Sequence, residues 1–419
     1  MERSAQIIWR YTFGKRRFAE MMSYLEKEFN GTKPKVTFCI TASLLDKHLN
    51  FIKQFKNGHE FAAHGFFHTN LKMKNRDEQI EIIRRSFENF EKYGMPVRGF
   101  RCPYLSYNTH TIDALVSSPY VWTSNNVIRW EKNIGTDKHS RNHLKKLGHI
   151  YKILDASSSV SVPRFIDRLI DIPITAPDDE MIYERLRIKN NSDITNIWRR
   201  IFKDIHERGE LFHLLFHPER FRYIRSSIKE TLEETGKNRA KVWVAGLNEI
   251  SEWWLMRSRS KWALQKKAGI SSIKISAPAS STILVKSNND GSGPYFFKTY
   301  RIAAIDWTAE NEIIFESDNP SKHMINISEK ASESLEHFLV NEGFFVQRAK
   351  NEVKETLFIR GFEIFREEDK LPLLESIDNS TFPLLRLWRW PDGAASAFTI
   401  SSDVDSINFG DFVRRLLNF

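Results

Sequence analysis

Between residues 16 and 258 the apolar positions switch repeatedly between the spacing of a helix face and short continuous or alternating apolar runs. The pattern predicts helices over 16–29, 44–55 and 76–93, with strands over 35–41 and 59–63 between them. Strand-like PVRGFRCP, YVWTSNN, LIDIPIT, ELFHLLFH and KVWVAGL follow, separated by helical stretches such as NIWRRIFKDIHERG. Strands that alternate with helices argue for a parallel sheet with crossover helices. The number of such units suits a barrel-like sheet.

The texture changes after the charged helix end WWLMRSRSKWALQKKAG. SSIKISAP, STILVKSN, YFFKTYRIAAIDW and NEIIFES are short β-rich runs with an NNDGSG turn among them, which predicts a small β domain over 259–320. An α/β region over 321–382 comes next, with helices at 328–341 and 367–377 and strand-like FFVQR and LFIRG. The last segment, 383–419, reads as a strand over 396–401, an acidic turn and the start of a helix. The main unit is therefore 1–258, and the chain returns to that unit's style at its end.

Composition alters this picture little. Of the 419 residues 41% are hydrophobic, with 31 Phe and 11 Trp, so the chain can bury a large core and is far from the make-up of disorder. A formal charge of +10 does not point to nucleic acid, because 63 Lys and Arg are interleaved with 53 Asp and Glu. Cys39 and Cys102 are too few for a disulfide framework or a cysteine zinc site. Charge interrupts MERSAQIIWRYTFGKRRF before a secretion signal could form, and no apolar run is long enough to span a membrane, so the expected location is cytoplasmic.

Candidate chemistry gathers at strand ends. In GHEFAAHGFFHTNL, His64 and His68 follow a strand and straddle Gly65, where the chain can turn, and two imidazoles brought together suit zinc or a similar ion. His59 adds no metal argument of its own. A second pair, His213 and His217, lies on an alternating strand pattern that keeps the rings too far apart to share an ion. His213 reads as a buried, hydrogen-bonded histidine, and His217, before Pro218, as an acid that could reach a site. Ser402-Asp403-Val404-Asp405 follows the apolar AFTIS, and carboxylates at the carboxyl end of a strand suggest a ligand site. In FRCPY, Arg101 could keep such a carboxylate ionised. Pro177-Asp178-Asp179-Glu180 reads as the start of a helix, and Trp253 and Trp254 as core.

Together these motifs resemble the polysaccharide deacetylase (NodB homology) superfamily over about 16–258 and 383–419. The family's TFDD or DxD, HxxxH, RxPY and Leu-x-His motifs are matched by 402–405, 64–68, 101–104 and 215–217, and IDIPITAPDDE looks like a stretch of its DxD branch. The resemblance implies a distorted (β/α) barrel with an inserted β-rich and α+β accessory region. Its order departs from the family's, since the DxD motif should precede residue 35 but stands near the C-terminus. Joining Phe419 to Met1 restores the usual order, as in a circular permutation. Three accounts of this order stand open: a permuted chain whose last strand inserts beside 35–41, exchange of that strand between copies in a homo-oligomer, or a piece cut from a longer or tandem protein.

By resemblance, Asp405, His64 and His68 would bind a divalent metal ion, zinc foremost, and Asp403 would be the general base. His217 would be the acid, Arg101 would orient and ionise Asp403, the backbone N–H of Tyr104 would hold the oxyanion, and Leu215 would line an acetyl pocket. Thr123 stands where the resemblance implies an acid that tunes His217. The implied activity is removal of N-acetyl groups from an amino sugar in a polysaccharide or glycan. Hydrolysis of another non-peptide C–N amide bond and a catalytically silent carbohydrate-binding protein are the alternatives.

Overall fold

The computed structural model of the chain describes residues 20, 23–25, 27, 35–54, 58–130, 153–237, 242–267, 269–286, 295–303 and 311–404. The predicted NNDGSG turn, most of the helix over 16–29 and Asp405 lie outside the described residues.

Among the described residues eleven strands form before residue 258: β1 Val36–Ile40, β2 Glu60–Ala63, β3 Gly99–Phe100, β4 Trp122–Thr123, β5 Val127–Arg129, β6 Ile153–Asp155, β7 Arg164–Ile166, β8 Leu169–Asp171, β9 Ile174–Ala176, β10 Leu211–Phe216 and β11 Val242–Val244. The last strand of the chain, β21 (Ser396–Val404), enters this sheet instead of standing apart. The order is β10-β21-β1-β2-β3-β4-β8-β7, with β11 also paired to β21. All of these pairs are parallel except the β7–β8 hairpin. The sheet curls into an open half-barrel of the (β/α) kind. β5, β6 and β9 make a small parallel sheet beside it.

Sequence pattern and burial agree here. VTFCI, LFHLLF and SAFTISSDV are buried along their whole length, as expected for parallel strands covered on both faces. Helices α1 Leu45–Gln54, α2 Arg76–Lys92, α3 Thr109–Val116, α4 Asn191–Glu207, α5 Pro218–Lys237 and α6 Leu247–Ser258 supply the crossovers. α2 starts on a capping box, in which the Asn75 side chain accepts from the Glu78 N–H while Glu78 accepts from the Asn75 N–H. Trp253 and Trp254 of α6 are buried, the core role that their sequence setting indicated.

Among the described residues the region after α6 holds three small sheets. β12 (Lys261–Lys267), β13 (Ile270–Ser276) and β16 (Glu312–Glu316) are antiparallel, as are β14 (Ile283–Lys286), β15 (Tyr300–Ile302) and β20 (Leu385–Leu387). β17 (Ile325–Ser328), β18 (Val346–Ala349) and β19 (Leu357–Ile359) are parallel, with α7 Glu333–Asn341 and α8 Glu367–Asn379 beside them. The helix expected at 328 begins five residues later because β17 occupies 325–328 and Ser332 caps α7. β14 pairs with β20, so the stretches read as 259–320 and 383–419 share a sheet.

A buried cluster ties this accessory region to the half-barrel. The Glu342 carboxylate accepts from Arg386 and Arg389, whose charges outweigh burial and hold it below the usual range. Arg389 also donates to the carbonyl of Gly209 (3.0 Å), and Arg257 of α6 donates to the carbonyl of Leu387 (2.8 Å). The chain is therefore clamped on both sides just before it runs into β21.

Because β21 is an interior strand paired with β1, β10 and β11, its core residues should matter more than a terminal position suggests. Phe398 is fully buried and meets Phe212 edge-on at 5.5 Å. Phe398→Ala is expected to cost roughly 3–5 kcal/mol in urea unfolding, and a loss below about 1 kcal/mol would contradict this placement.

Candidate active site

Six positions at or one residue past the carboxyl ends of parallel strands carry the site: Asp403 in β21, His64 after β2, Arg101 after β3, Ser124 after β4, Asp171 in β8 and His217 after β10. That rim is where ligands gather in open parallel sheets. Asp403 was expected in a turn, but β21 continues to Val404 because it pairs with β1 up to Ile40↔Val404. Period-two alternation then puts Ser401 and Asp403 on one face.

Arg101 is completely buried at the meeting point of these strands. Its Nη1 donates to Asp403 Oδ1 (2.7 Å) and Ser401 Oγ (2.9 Å), Nε to the Ser124 carbonyl (3.1 Å) and Nη2 to Ser124 Oγ (3.0 Å). Burial alone would raise the Asp403 carboxyl, but the charge and hydrogen bond of Arg101, with the nearby His64 and His217, together outweigh it and hold the group below the usual carboxylate range.

His213 completes the cradle. Its Nδ1 faces the Pro173 carbonyl at 3.0 Å, and a carbonyl only accepts, so Nδ1 carries the proton. Nε2 is then an acceptor for Ser401 Oγ–H (2.8 Å) and Arg101 Nη2 (3.3 Å). This pattern needs a neutral ring, and burial together with Arg101 pushes His213 well below its ordinary value. The histidine is buried and hydrogen-bonded, as its strand position indicated. Leu215, two residues on, is buried and shares its face of β10.

His64 and His68 approach with ring centroids 5.1 Å apart. Gly65 makes the turn with φ +74°, and a Cβ there would lie 2.8 Å from the Phe67 carbonyl oxygen and 3.1 Å from Pro103 Cγ. His64 Nδ1 donates to the Arg101 carbonyl (3.0 Å), which fixes its tautomer and turns Nε2 toward Asp403 Oδ2, 3.9 Å away. Such an outer hydrogen bond is what orients a metal-binding imidazole. Among the described residues no third His, Cys, Asp or Glu completes a metal-binding group with these rings. Asp405, the remaining member of the expected set, lies outside them. Two imidazoles and a carboxylate are a zinc-type donor set, and the two rings described here fit it. The Tyr104 ring meets His68 edge-on at 4.4 Å and is 40% exposed, so this wall opens to solvent. Cys39 and Cys102 are buried free thiols, and burial pushes Cys39 up to about 12, far from a reactive thiolate.

His217 stands one residue past β10, where its Nδ1 meets Asp179 Oδ1 at 2.7 Å and its backbone N–H donates to Asp179 Oδ2 (2.9 Å). Burial would lower the imidazole, but the charge of Asp179 and its hydrogen bond together outweigh it and raise His217 to about 10. The make-up of Pro177–Glu180 predicts a helix start and no part in the site. That holds for Asp178, whose Oδ1 accepts from the Met181 N–H (2.8 Å), but Asp179 is committed to His217. Thr123 supplies no acid and instead donates to the Phe100 carbonyl (2.8 Å). Burial, then the neighbouring Asp179, raises Asp178 to about 7.

The family model described as polysaccharide deacetylase matches residues 13–121, about a quarter of the chain. Over that segment the chain is similar to the polysaccharide deacetylase (NodB homology) superfamily. Among solved structures, a Mycobacterium smegmatis protein assigned as a polysaccharide deacetylase is 21% identical, covering 56% of this chain and 76% of its own with a TM-score of 0.42. One from Pseudomonas aeruginosa PAO1, assigned likewise, is 12% identical over 61% of this chain and 77% of its own, with a TM-score of 0.43. PuuE allantoinase is also 12% identical, with coverages of 61% and 76% and a TM-score of 0.44. No curated protein matches the chain. Among the described residues no helix is long and apolar enough to cross a membrane.

In this chain Asp179 holds His217 protonated. Without that anion, burial dominates and the imidazole should titrate below its ordinary value. NMR titration of His217 in Asp179→Asn is expected to show a pKa at least about two units below the wild type, and an unchanged value would remove Asp179 from this role.

Proposed function

We propose that the chain is a metal-dependent hydrolase that removes N-acetyl groups from an amino sugar in a polysaccharide or glycan. The observation that carries this reading is a pair of buried groups with opposite protonation at one rim: Asp403 held ionised by Arg101 and His217 held protonated by Asp179. Groups whose pKa values are driven apart are the marks of a base and an acid. The two also lie close enough for the His217 charge to favour the Asp403 anion.

His64 and His68, with Asp405, would hold a divalent ion, zinc foremost, which when bound would acidify water and polarise a carbonyl. Asp403 would take the proton of the attacking water as its oxygen bonds to the acetamide carbon. The Tyr104 backbone N–H would donate to the resulting oxyanion. His217 would then protonate the amide nitrogen, the C–N bond would break, and acetate and a free amine would leave. Leu215 would line the slot for the acetyl methyl.

The position of β21 between β1 and β10 supports reading the unusual order of motifs as a circular permutation closed within one chain. The site needs no second copy for its Asp403–Arg101 pair.

Acetate release from a panel of N-acetylated glycans, with linear and cyclic non-sugar amides beside them, tests the substrate class. Asp403→Asn and His217→Ala should each lower kcat/KM by about 100-fold or more, and activity that survives both would refute the assigned roles. Elemental analysis should find about one divalent ion per chain, lost in Asp405→Ala together with activity. A metal content unchanged in that variant would remove Asp405 from the ligand set.

A further inference from the structure

The loop that carries Arg101 and Tyr104 is strained. Tyr104 (φ 59°) and Leu105 (φ 50°) are consecutive left-handed residues with large side chains. Such a conformation persists only where the surroundings over-determine it. Local bonds from the Leu105 N–H to the Cys102 carbonyl (3.0 Å) and from Ser106 to Pro103 (3.2 Å) close the turn but do not fix it in the barrel.

Two asparagines do that. Asn125 Oδ1 accepts from the Cys102 N–H (2.8 Å) before the strained pair, and Asn126 Oδ1 accepts from the Tyr107 hydroxyl (2.5 Å) after it. Both are held by one carboxylate, since Asp171 accepts from the Asn125 N–H (3.4 Å) and from Asn126 Nδ2 (2.6 Å). Asp171 is fully buried at the end of β8. Its nearby cation is Arg164 of β7, 4.0 Å away, and Arg164 in turn pairs with Glu367 (3.2 Å). Glu367 is the first residue of α8 and belongs to the accessory region.

We propose that Asp171 is a positioning residue for the Arg101–Tyr107 loop, and that the accessory region sets the placement of this loop through Glu367 and Arg164. The route runs from α8 through Arg164 and Asp171 to the two asparagines that grip the loop on either side of its strained turn. The accessory region thereby acts on the candidate site without contributing a group to it.

The test uses Asp171→Asn, Glu367→Gln and Asn126→Ala in the full chain. Asn at 171 keeps the shape but turns an acceptor into an NH2 group facing the N–H donors of Asn125 or Asn126. Hydrogen exchange of the 102–107 amides should rise about ten-fold or more in Asp171→Asn, with β1 and β21 unchanged, and by a smaller factor in Glu367→Gln. Under the deacetylase reading, on which this kinetic arm rests, kcat should fall about ten-fold or more with KM nearly constant. The exchange arm needs no substrate, so an inactive wild type would sink the deacetylase reading and leave this inference to be decided by exchange alone. Unchanged exchange in Asp171→Asn overturns the positioning role, and a silent Glu367→Gln beside an affected Asp171→Asn overturns the accessory route. Should Asp171→Asn fail to fold, Asn126→Ala removes one grip on the loop, and unchanged exchange there overturns the proposal.

Discussion

Everything at the rim of this sheet depends on a guanidinium that has no access to water. A buried cation is tolerated only if its charge is paired and its donors are used. Arg101 meets five acceptors with its five N–H groups: the Ser124 carbonyl and hydroxyl, Ser401, Asp403 and His213. Two of these acceptors lie on the strand that comes last in the chain. Assembly of the sheet and assembly of the site are therefore one event, because leaving β21 out would strand an uncompensated charge in the core.

The same burial produces opposite outcomes at two positions a short distance apart. Desolvation disfavours the ion at both Asp403 and His217, and at both the neighbouring opposite charges and hydrogen bonds, led by Arg101 and Asp179, together win. Asp403 is left as an anion and His217 as a cation because Arg101 and Asp179 are rigidly placed. Nothing about the aspartate or the histidine alone would give that division of roles.

The accessory region is fastened at two places with different consequences. The Glu342 cluster clamps the backbone just upstream of β21, so it bears on whether that strand is delivered to the sheet. The Glu367–Arg164 pair leads instead to the strained loop beside His68. A region that reads in sequence as an appendage thus contacts both the strand and the loop that make the site.

By itself the sequence determined what local pattern can encode. The parallel α/β class followed from periodicity. The turn at Gly65, the buried His213 and the strand-end position of His217 followed from residue type and spacing. The extension of β21 past Ser401 was not legible, because polar Ser402 and Asp403 look like a turn until β1 pairs with them. The partner of His217 was hidden for a related reason: Pro177-Asp178-Asp179-Glu180 has the make-up of a helix start, and one of its two aspartates does serve as a cap. Only the tertiary structure could divide them, since a helix and a strand separate Asp179 from His217 along the chain. The same holds for Asp403 and Arg101, which chain order sets far apart and parallel pairing brings to hydrogen-bond distance. Sequence patterns report which groups face a core, whereas sheet order decides which of those groups meet.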